Sequence, residues 1–367
     1  MPLRPQRNMI PHSKPTIGDE EVRAVEAVLR SGQIAQGREV EEFEKRLCEF
    51  TGRRHGVAVS SGTAALCLSL HALGIGPGDE VILPSFTCAA LLHAVEAVRA
   101  RPLLTDIDPE DFNISVDGAR KRIRRKTKAI IVPHAFGRSS RMQELLALGV
   151  PVIEDGTQAL GARAGASRVG SLGQLSVFSF YATKMITTGE GGVILTDSGR
   201  LAERLRDLRD YDKKRDHRLR TNSKMTDLAA AIGMVQLQKL SSFIQARRKL
   251  AQNYRESLEG LGLALPTEDE ERDHVYFRYV IRIRQGSSRH LQKLNEEGIE
   301  AKKPVFKPLH QYLKLPDKDF PVTVQAMRET CSLPIFPSLE DSSLIQVCEA
   351  VRTLTASSGT RRPVSRV

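Results

Sequence analysis

The stretch FSFYATKMITTGEGG, residues 178–192, sets a single lysine, Lys184, between an apolar run and a glycine-rich turn. The residues LSVFSF (175–180) just before it are typical of a buried strand, and GGVILT (191–196) is typical of another. A lysine directly after a core strand is costly to bury unless its charge is paired or its amine is used covalently. One such use is a Schiff base with an aldehyde, and the alternative is an ordinary lysine in a surface loop.

Short β-branched runs recur up to residue 196 and alternate with helical patterns. The runs are HGVAVS, DEVILP, AIIVP, PVIED, LSVFSF and GGVILT. This alternation predicts a large α/β domain with a mostly parallel sheet covered by helices. Residues 225–260 contain no proline and predict one long helix, followed by a smaller C-terminal α+β domain. We place the domain boundary inside that helix, which gives domains 1–240 and 241–367.

Near the start of the chain, Val22, Val25 and Leu29 recur at helical spacing and predict an amphipathic helix that ends at Gly32. The two chain ends, 1–7 and 355–367, are basic and poor in apolar residues, and we expect them to fray. The N-terminal residues contain no apolar segment of the kind that serves as a secretion signal.

Composition excludes several classes of protein. The chain of 367 residues is 40% hydrophobic and 27% charged, which is typical of a globular protein. It contains no apolar run near the ~20 residues of a membrane span, so we expect a cytoplasmic protein. Its five cysteines form no CxxC pair and no HExxH motif is present, so we expect free thiols, with neither a disulfide framework nor a zinc site.

The net charge of +11 favours anionic ligands. The densest basic run, RKRIRRKTK (120–128), is either the solvated end of a helix that leads into AIIVP or a nucleic-acid patch. No recognition motif accompanies the run and only 5% of residues are aromatic, so we do not expect nucleic acid as a partner. A second basic run, KKRDHRLR (213–220), has the composition of a loop.

Two further stretches bring polar groups to the ends of predicted strands, where α/β sheets bind ligands. In VAVSSGTAAL a helix begins near Gly62 and Thr63, and its N-terminus suits a phosphate or is simply capped by hydroxyl groups. In PVIEDGTQAL the strand ends in Glu154 and Asp155, with Gln158 three residues later. Such a carboxylate can be a general base, the counter-charge of a buried cation or a helix cap, whereas a metal site lacks an obvious set of local ligands.

A phosphate, an aldehyde and a cationic ring nitrogen occur together in pyridoxal 5′-phosphate (PLP). The stretches SGTAAL, EDGTQALGA and FSFYATKMITTGEGG resemble the DegT/StrS family of nucleotide-sugar aminotransferases, whose fold is similar to that of aspartate aminotransferase. The resemblance covers nearly the whole chain, from SGQIAQGREVEEFEKRL through LPSFTCAALLHAV and IIVPHAFG to KPVFKPLH and CSLPIFPSLED.

The resemblance implies a role for each candidate residue. Lys184 would bind the cofactor aldehyde and then move a proton between the amino donor and the cofactor. Asp155 would pair with the ring nitrogen, and Gln158 would donate a hydrogen bond to the phenolic oxygen of the ring. The phosphate would be held by Gly62, Thr63 and Ser179.

The resemblance also implies partners. Asn222 would reach the phosphate in the partner subunit, which requires a homodimer with shared sites. The substrates would be a nucleoside-diphosphate keto sugar and, as amino donor, glutamate. The basic run 213–220 would border the shared site and meet the diphosphate, or remain a solvated loop.

Some positions depart from the family pattern. Cys88 stands where an aromatic residue usually stacks on the cofactor ring, Tyr181 replaces a frequent histidine or asparagine, and Gly156 and Thr157 replace the usual alanines. Two alternatives stay open at this stage. One is a related sugar dehydratase (lyase), which has histidine at the position of Lys184, and the other is a non-catalytic regulatory protein that retains the fold.

Overall fold

A computed structural model describes residues 9–267, 269 and 271–358. In chain order its strands are β1 (His55–Val59), β2 (Glu80–Pro84), β3 (Arg101–Thr105), β4 (Thr127–Pro133), β5 (Val152–Asp155), β6 (Arg163–Ala164), β7 (Ser167–Arg168), β8 (Leu175–Ser179), β9 (Gly192–Thr196), β10 (Tyr279–Arg282) and β11 (Thr330–Leu333). The helices are α1 (Asp19–Ser31), α2 (Arg38–Thr51), α3 (Gly62–Ala72), α4 (Ala89–Ala97), α5 (Val116–Arg122), α6 (Met142–Leu146), α7 (Gly199–Arg209), α8 (Asp227–Leu258), α9 (Ser288–Glu296), α10 (Leu309–Tyr312), α11 (Pro321–Glu329) and α12 (Asp341–Ser358).

A seven-stranded sheet with the order β1-β9-β8-β5-β4-β2-β3 forms the centre of the fold. Only β9 runs antiparallel to its neighbours in this sheet, and the other pairings are parallel. All five positions of β2 and of β9 are buried, as expected for strands covered on both faces. The predicted α/β class with a mostly parallel sheet is therefore confirmed.

Helix α8 contributes to two hydrophobic cores. Leu240 and Ile244 pack on the side of the large sheet, whereas Leu250 and Tyr254 pack with strands β10 and β11 and helix α12. The second core also includes Ile10, so the described N-terminal residues pack against the C-terminal part of the chain. The division into 1–240 and 241–367 stays a prediction.

The first helix packs differently from its sequence pattern. Glu21 and Val28 face the protein, and the Glu21 carboxylate accepts hydrogen bonds from Gln236 Nε2 at 2.7 Å and from Lys239 Nζ at 2.8 Å, both on α8. By contrast, Val22 is 60% exposed and Leu29 is 57% exposed. The hydrogen bonds from Glu21 to α8 thus fix the rotation of α1 about its axis. They leave an apolar stripe, formed by Val22 and Leu29, on the surface.

Both basic runs lie on the surface. The run 120–128 is the end of α5 followed by the start of β4, which is the helix-end alternative. The run 213–220 lies in the irregular segment between α7 and α8, where Lys214 and Arg220 pair with Asp207 at 3.0 Å each. The ends predicted to fray lie largely outside the described residues, although 355–358 belong to α12. Within the described ranges, no helix is both long and apolar enough to cross a bilayer.

Candidate active site

Lys184 lies in the loop that joins the antiparallel strands β8 and β9. The neck of this loop is closed by backbone hydrogen bonds from Phe180 N to Gly191 O and from Thr188 N to Phe180 O, each 2.9 Å long. Lys184 Nζ lies 5.2 Å from the centroid of the Phe277 ring. Among the described residues, none forms a hydrogen bond or an ion pair with this amine. The loop therefore presents a lysine whose nitrogen is left available for a ligand.

The electrostatic surroundings of Lys184 favour its neutral form. Burial is the main cause that lowers the pKa of the Lys184 amine below its ordinary value. The nearby Asp155 and Cys88 act in the opposite direction, and Arg278 lowers the pKa further. A neutral amine is the form that attacks an aldehyde, so this environment suits the Schiff-base role predicted from the sequence.

Asp155 ends β5 next to β8, on the same edge of the sheet as Lys184. Its side chain is 3% exposed, and Oδ1 accepts a hydrogen bond from Thr157 N at 3.0 Å. The charge of this carboxylate raises the pKa of the Lys184 amine, which agrees with their positions on the same edge of the sheet. Asp155 therefore stands where it can pair with a cationic ring nitrogen.

Glu154, the other carboxylate of the EDGTQ stretch, lies on the opposite face of the strand. Ser140 N donates to Nδ1 of His134, so Nε2 of His134 carries its proton toward Glu154 Oε1 at 3.1 Å. Burial alone would raise the pKa of Glu154, but His134 and backbone donors lower it to about 2. Its remaining hydrogen-bond donors are Gly170 N, Leu172 N, Gly173 N and Ser176 Oγ. Glu154 is therefore a structural carboxylate.

Gln158 is oriented by one hydrogen bond. Its Oε1 accepts from Phe136 N at 2.9 Å, so the amide NH₂ group of Gln158 points elsewhere with donors to spare. Phe136 is held in a left-handed conformation with φ of 57°. The predicted hydrogen bond from the Gln158 amide to the cofactor ring stays a prediction.

The predicted phosphate site is formed by the start of α3 and the end of β8. Ser61 caps the helix by accepting from Ala64 N at 3.1 Å, and the first N–H groups of the helix, at Gly62 and Thr63, have no partner in the described part of the chain, so they can bind an anion. Gly62 packs directly against Ser179. Thr63 is exposed, and Ser179 is partly exposed. These three residues are brought together as the sequence predicts.

Asn222 is exposed and lies in the segment that precedes α8. The next residue, Ser223, accepts a hydrogen bond through its carbonyl oxygen from Ser60 N of the same chain at 2.8 Å. This contact brings the Asn222 segment beside the turn that leads to Gly62. The predicted reach of Asn222 into a partner subunit stays a proposal.

Cys88 lies at the start of α4 and is exposed as a free thiol. Cys88 raises the pKa of both Lys184 and Arg278, which agrees with the position near the cofactor ring that the resemblance implies for it. Phe277 and Arg278 were missed in the sequence, because no local motif marks them as site residues. Their proximity to Lys184 arises from long-range packing.

A serine–histidine–aspartate arrangement also occurs in the structure. Ser85 Oγ lies 2.6 Å from His310 Nδ1, and His310 Nε2 lies 2.9 Å from Asp317 Oδ1. Ser85 is fully buried and its Oγ also accepts from His310 N, so this hydroxyl cannot reach a substrate. The arrangement instead fixes the segment that leads to Cys88. Across the part of the chain that the structure describes, no group of His, Cys, Asp or Glu could hold a metal ion.

The site thus combines an available buried amine, a nearby carboxylate, an oriented amide and an open helix N-terminus. The sequence matches the model of the DegT/DnrJ/EryC1/StrS aminotransferase family over residues 15–352. The chain belongs to this family. It is an enzyme, a PLP-dependent aminotransferase, and the residues described above fit the aldehyde, the ring and the phosphate of that cofactor.

Individual relatives match over nearly their full length. The spore coat polysaccharide biosynthesis protein SpsC of Bacillus subtilis (strain 168) is 33% identical, with 96% of this chain and 98% of the relative covered. GDP-perosamine synthase of Vibrio cholerae is 32% identical, with 94% and 98% covered. The PLP form of the putative sugar aminotransferase Spr1654 from Streptococcus pneumoniae superposes with a TM-score of 0.90 at 26% identity, covering 96% of this chain and all of that one.

Proposed function

We propose that this enzyme transfers an amino group from glutamate to the ketone of a sugar linked to a nucleoside diphosphate, and so produces an amino sugar nucleotide. The observation that carries the proposal is the buried Lys184 amine, left without a partner among the described residues and close to Asp155, in a chain of this aminotransferase family. A family dehydratase with histidine in place of that lysine would lack this amine.

The chemistry divides between cofactor and protein. Bound PLP supplies an electron sink for the carbon that loses its proton. Lys184 Nζ would hold the cofactor and would be the group that carries the proton taken from the α-carbon of the amino donor. Asp155 keeps the ring nitrogen protonated, and Gln158 donates a hydrogen bond to the phenolic oxygen. The N-terminus of α3, with Ser179, holds the phosphate.

The proposed sugar substrate rests on the relatives. One of them is named as a synthase of GDP-perosamine, which is a nucleotide-linked sugar, and another as a polysaccharide biosynthesis protein. The positive net charge of +11 suits the attraction of a diphosphate. Glutamate is proposed from the family resemblance. All five cysteines are free thiols in the structure, which fits action in a reducing cytoplasm.

We also propose that two chains share each site. The apolar stripe on α1 is the kind of surface that a second copy covers, since Val22 and Leu29 are more than half exposed. Ile34 is 48% exposed in the turn that follows, and Ala35 accepts a hydrogen bond from Asp227 N at the start of α8. This surface therefore continues toward the Asn222 segment, in keeping with a homodimer in which Asn222 reaches the partner's cofactor.

The function is tested by labelling and turnover. Borohydride treatment of the PLP-loaded protein should fix the cofactor on Lys184, as read by peptide mapping, and visible absorbance from the cofactor–lysine link should disappear. A panel of nucleotide-linked keto sugars with glutamate should then yield at least one amino sugar. A label on a different lysine, or an absence of turnover across the panel, would contradict the proposal.

A further inference from the structure

Arg278 borders the same aromatic ring as the reactive lysine. Its guanidinium carbon lies 5.4 Å from the centroid of the Phe277 ring, and Lys184 Nζ lies 5.2 Å from that centroid. The backbone of Arg278 is fixed, because its N–H donates to Phe136 O at 3.2 Å. Residues 275–277 before it are buried. The guanidinium is therefore carried into the site by a well-packed segment.

The Arg278 side chain has no acidic partner among residues 9–267, 269 and 271–358, and no hydrogen bond within these ranges. Neighbouring arginines differ in this respect, since Arg282 pairs with Glu329 at 3.1 Å and Arg272 pairs with Asp111 at 2.5 Å. Burial lowers the pKa of Arg278, and only Cys88 opposes that effect. A partly buried guanidinium has five N–H donors, and such a group normally meets an acceptor.

The balance of charged groups around Lys184 favours the binding of an additional anion. Arg278 is a cationic group, whereas Asp155 is the one carboxylate that affects the pKa of Lys184, and it is assigned to the ring nitrogen. The cofactor phosphate belongs elsewhere. Ser179 ends β8, on one side of Asp155, while Cys88 follows β2 on the other side, and Arg278 lies close to Cys88.

We propose that the guanidinium of Arg278 binds the α-carboxylate of the amino donor, an inference that rests on the proposed aminotransferase function. In an α-amino acid the nitrogen and the carboxylate are attached to the same carbon. When the donor nitrogen occupies the position of Lys184 Nζ, its carboxylate must lie within a few bonds of that point. A planar guanidinium then binds the carboxylate through two parallel hydrogen bonds.

The second substrate makes the proposal specific. A keto sugar has no carboxylate next to its carbonyl carbon, and its diphosphate is attached at a different ring carbon. Arg278 should therefore act in the half-reaction with the amino donor and contribute little to the half-reaction with the sugar. It is a residue that selects one of two substrates that share a single site.

The test separates the two half-reactions in single-turnover experiments on the PLP-loaded protein. Arg278→Gln should slow the reaction with glutamate by about tenfold or more, the effect of losing a hydrogen-bonded charge pair. The reaction of the aminated enzyme with the keto sugar should change less than about twofold. Arg278→Lys should restore part of the donor rate. Arg284→Gln, an exposed position just after β10, is the matched control and should leave both rates unchanged.

A binding measurement completes the test without depending on turnover. Glutarate, which has two carboxylates but no amine, should bind to Arg278→Gln at least about tenfold more weakly than to Arg284→Gln in calorimetric titration. Equal glutarate affinity in the two variants, or equal slowing of both half-reactions by Arg278→Gln, overturns the proposal. If the unmodified enzyme reacts with neither substrate, the aminotransferase function fails, and the glutarate titration alone still decides the role of Arg278.

Discussion

Gly62 and Ser179 are packed so closely that a β-carbon at position 62 would lie 2.7 Å from Ser179 Cβ and 3.1 Å from Ser179 Oγ. The first turn of α3 and the end of β8 therefore meet through a glycine. This contact places the Ser179 hydroxyl beside the free N–H groups of the helix, where a phosphate would bind.

Gly62→Ala should weaken cofactor binding, because the new methyl group forces apart the two elements that hold the phosphate. We expect the PLP dissociation constant to rise about tenfold or more, as for loss of a charge-assisted hydrogen bond. Fluorescence titration of the apoenzyme with PLP measures this. Gly76→Ala is the matched control, since a β-carbon there meets only Val98 O at 3.9 Å. Similar PLP affinity in both variants would count against the phosphate site.

The adjacent carboxylates should have different phenotypes. Asp155→Asn should retain PLP but slow both half-reactions strongly, because an unprotonated ring nitrogen accepts electrons poorly. The melting temperature should change little, since the only hydrogen bond to the Asp155 carboxylate among the described residues comes from Thr157 N. Rapid-mixing absorbance of each half-reaction, beside thermal melting, checks this. Near-normal rates in Asp155→Asn would mean that another group pairs with the ring.

Glu154→Gln should instead lower stability. The substitution replaces the carboxylate that accepts from His134 Nε2 and turns one acceptor into a donor among several buried donors. Leaving buried donors without an acceptor costs about 1–3 kcal/mol. Urea unfolding should show this loss, while the folded fraction keeps its rate per site. Unchanged unfolding would contradict the structural role.

Shared sites can be tested by mixing inactive variants. Lys184→Ala and Asn222→Ala should each be nearly inactive, but subunit exchange should restore about a quarter of all sites if Asn222 serves the partner. If Asn222 serves its own chain, as the contact between Ser223 and Ser60 also permits, each site keeps one lesion. Activity that stays flat, with exchange confirmed by mass labels, would reject shared sites.

Stability should fall at mildly acidic pH. Burial, then the charge of Arg278, lowers the pKa of His12 to about 3, and burial, then Arg138, does the same for His274. In the unfolded chain both titrate near 6.5. Between these values the unfolded state binds more protons, so stability is full above pH 6.5 and decreases as the pH falls toward 3.

The melting temperature should therefore be lower at pH 5.5 than at pH 7.5. Below pH 6.5, each of the two histidines should lower the free energy of unfolding by about 1.4 kcal/mol per pH unit. His274→Gln should reduce this slope. His93→Gln is the control, because the His93 side chain is 65% exposed. A slope that is identical in the two variants would contradict the assignment to buried histidines.

Local patterns predicted most of the framework. The β-branched runs that became β1, β2, β4, β5, β8 and β9 were visible because burial on both faces selects such residues. Strand β3 was missed, since its sequence, RPLLT, starts with arginine and proline, and β11 was missed because it is short. The orientation of α1 was not predictable from hydrophobic spacing, because Glu21 finds its partners on α8, more than 200 residues away.

The candidate site could likewise be predicted from the sequence only in part. Lys184, Asp155, Gln158 and Gly62 were detectable because each lies at the end of a strand or within a few residues after it. Strand geometry puts the adjacent Asp155 and Glu154 on opposite faces, but the sequence could not show which face meets the site, since that depends on what each face packs against. It could not show Phe277 and Arg278 beside Lys184 either, because that contact joins segments more than 90 residues apart.

Helix α8 runs without a break from the Asn222 segment into the second core, and Arg247 on this helix donates to the carbonyl oxygens of Tyr276 at 3.1 Å and Ile335 at 2.9 Å. Arg247 therefore holds the segment that contains Phe277 and Arg278 against α8, the helix that begins near the predicted phosphate site. A movement of the C-terminal part of the chain on substrate binding would have to bend α8 or break the hydrogen bonds of Arg247. The hydrogen bonds of Arg247 therefore join α8 to both segments and should limit how far the residues around Tyr276 and Ile335 can move relative to that helix.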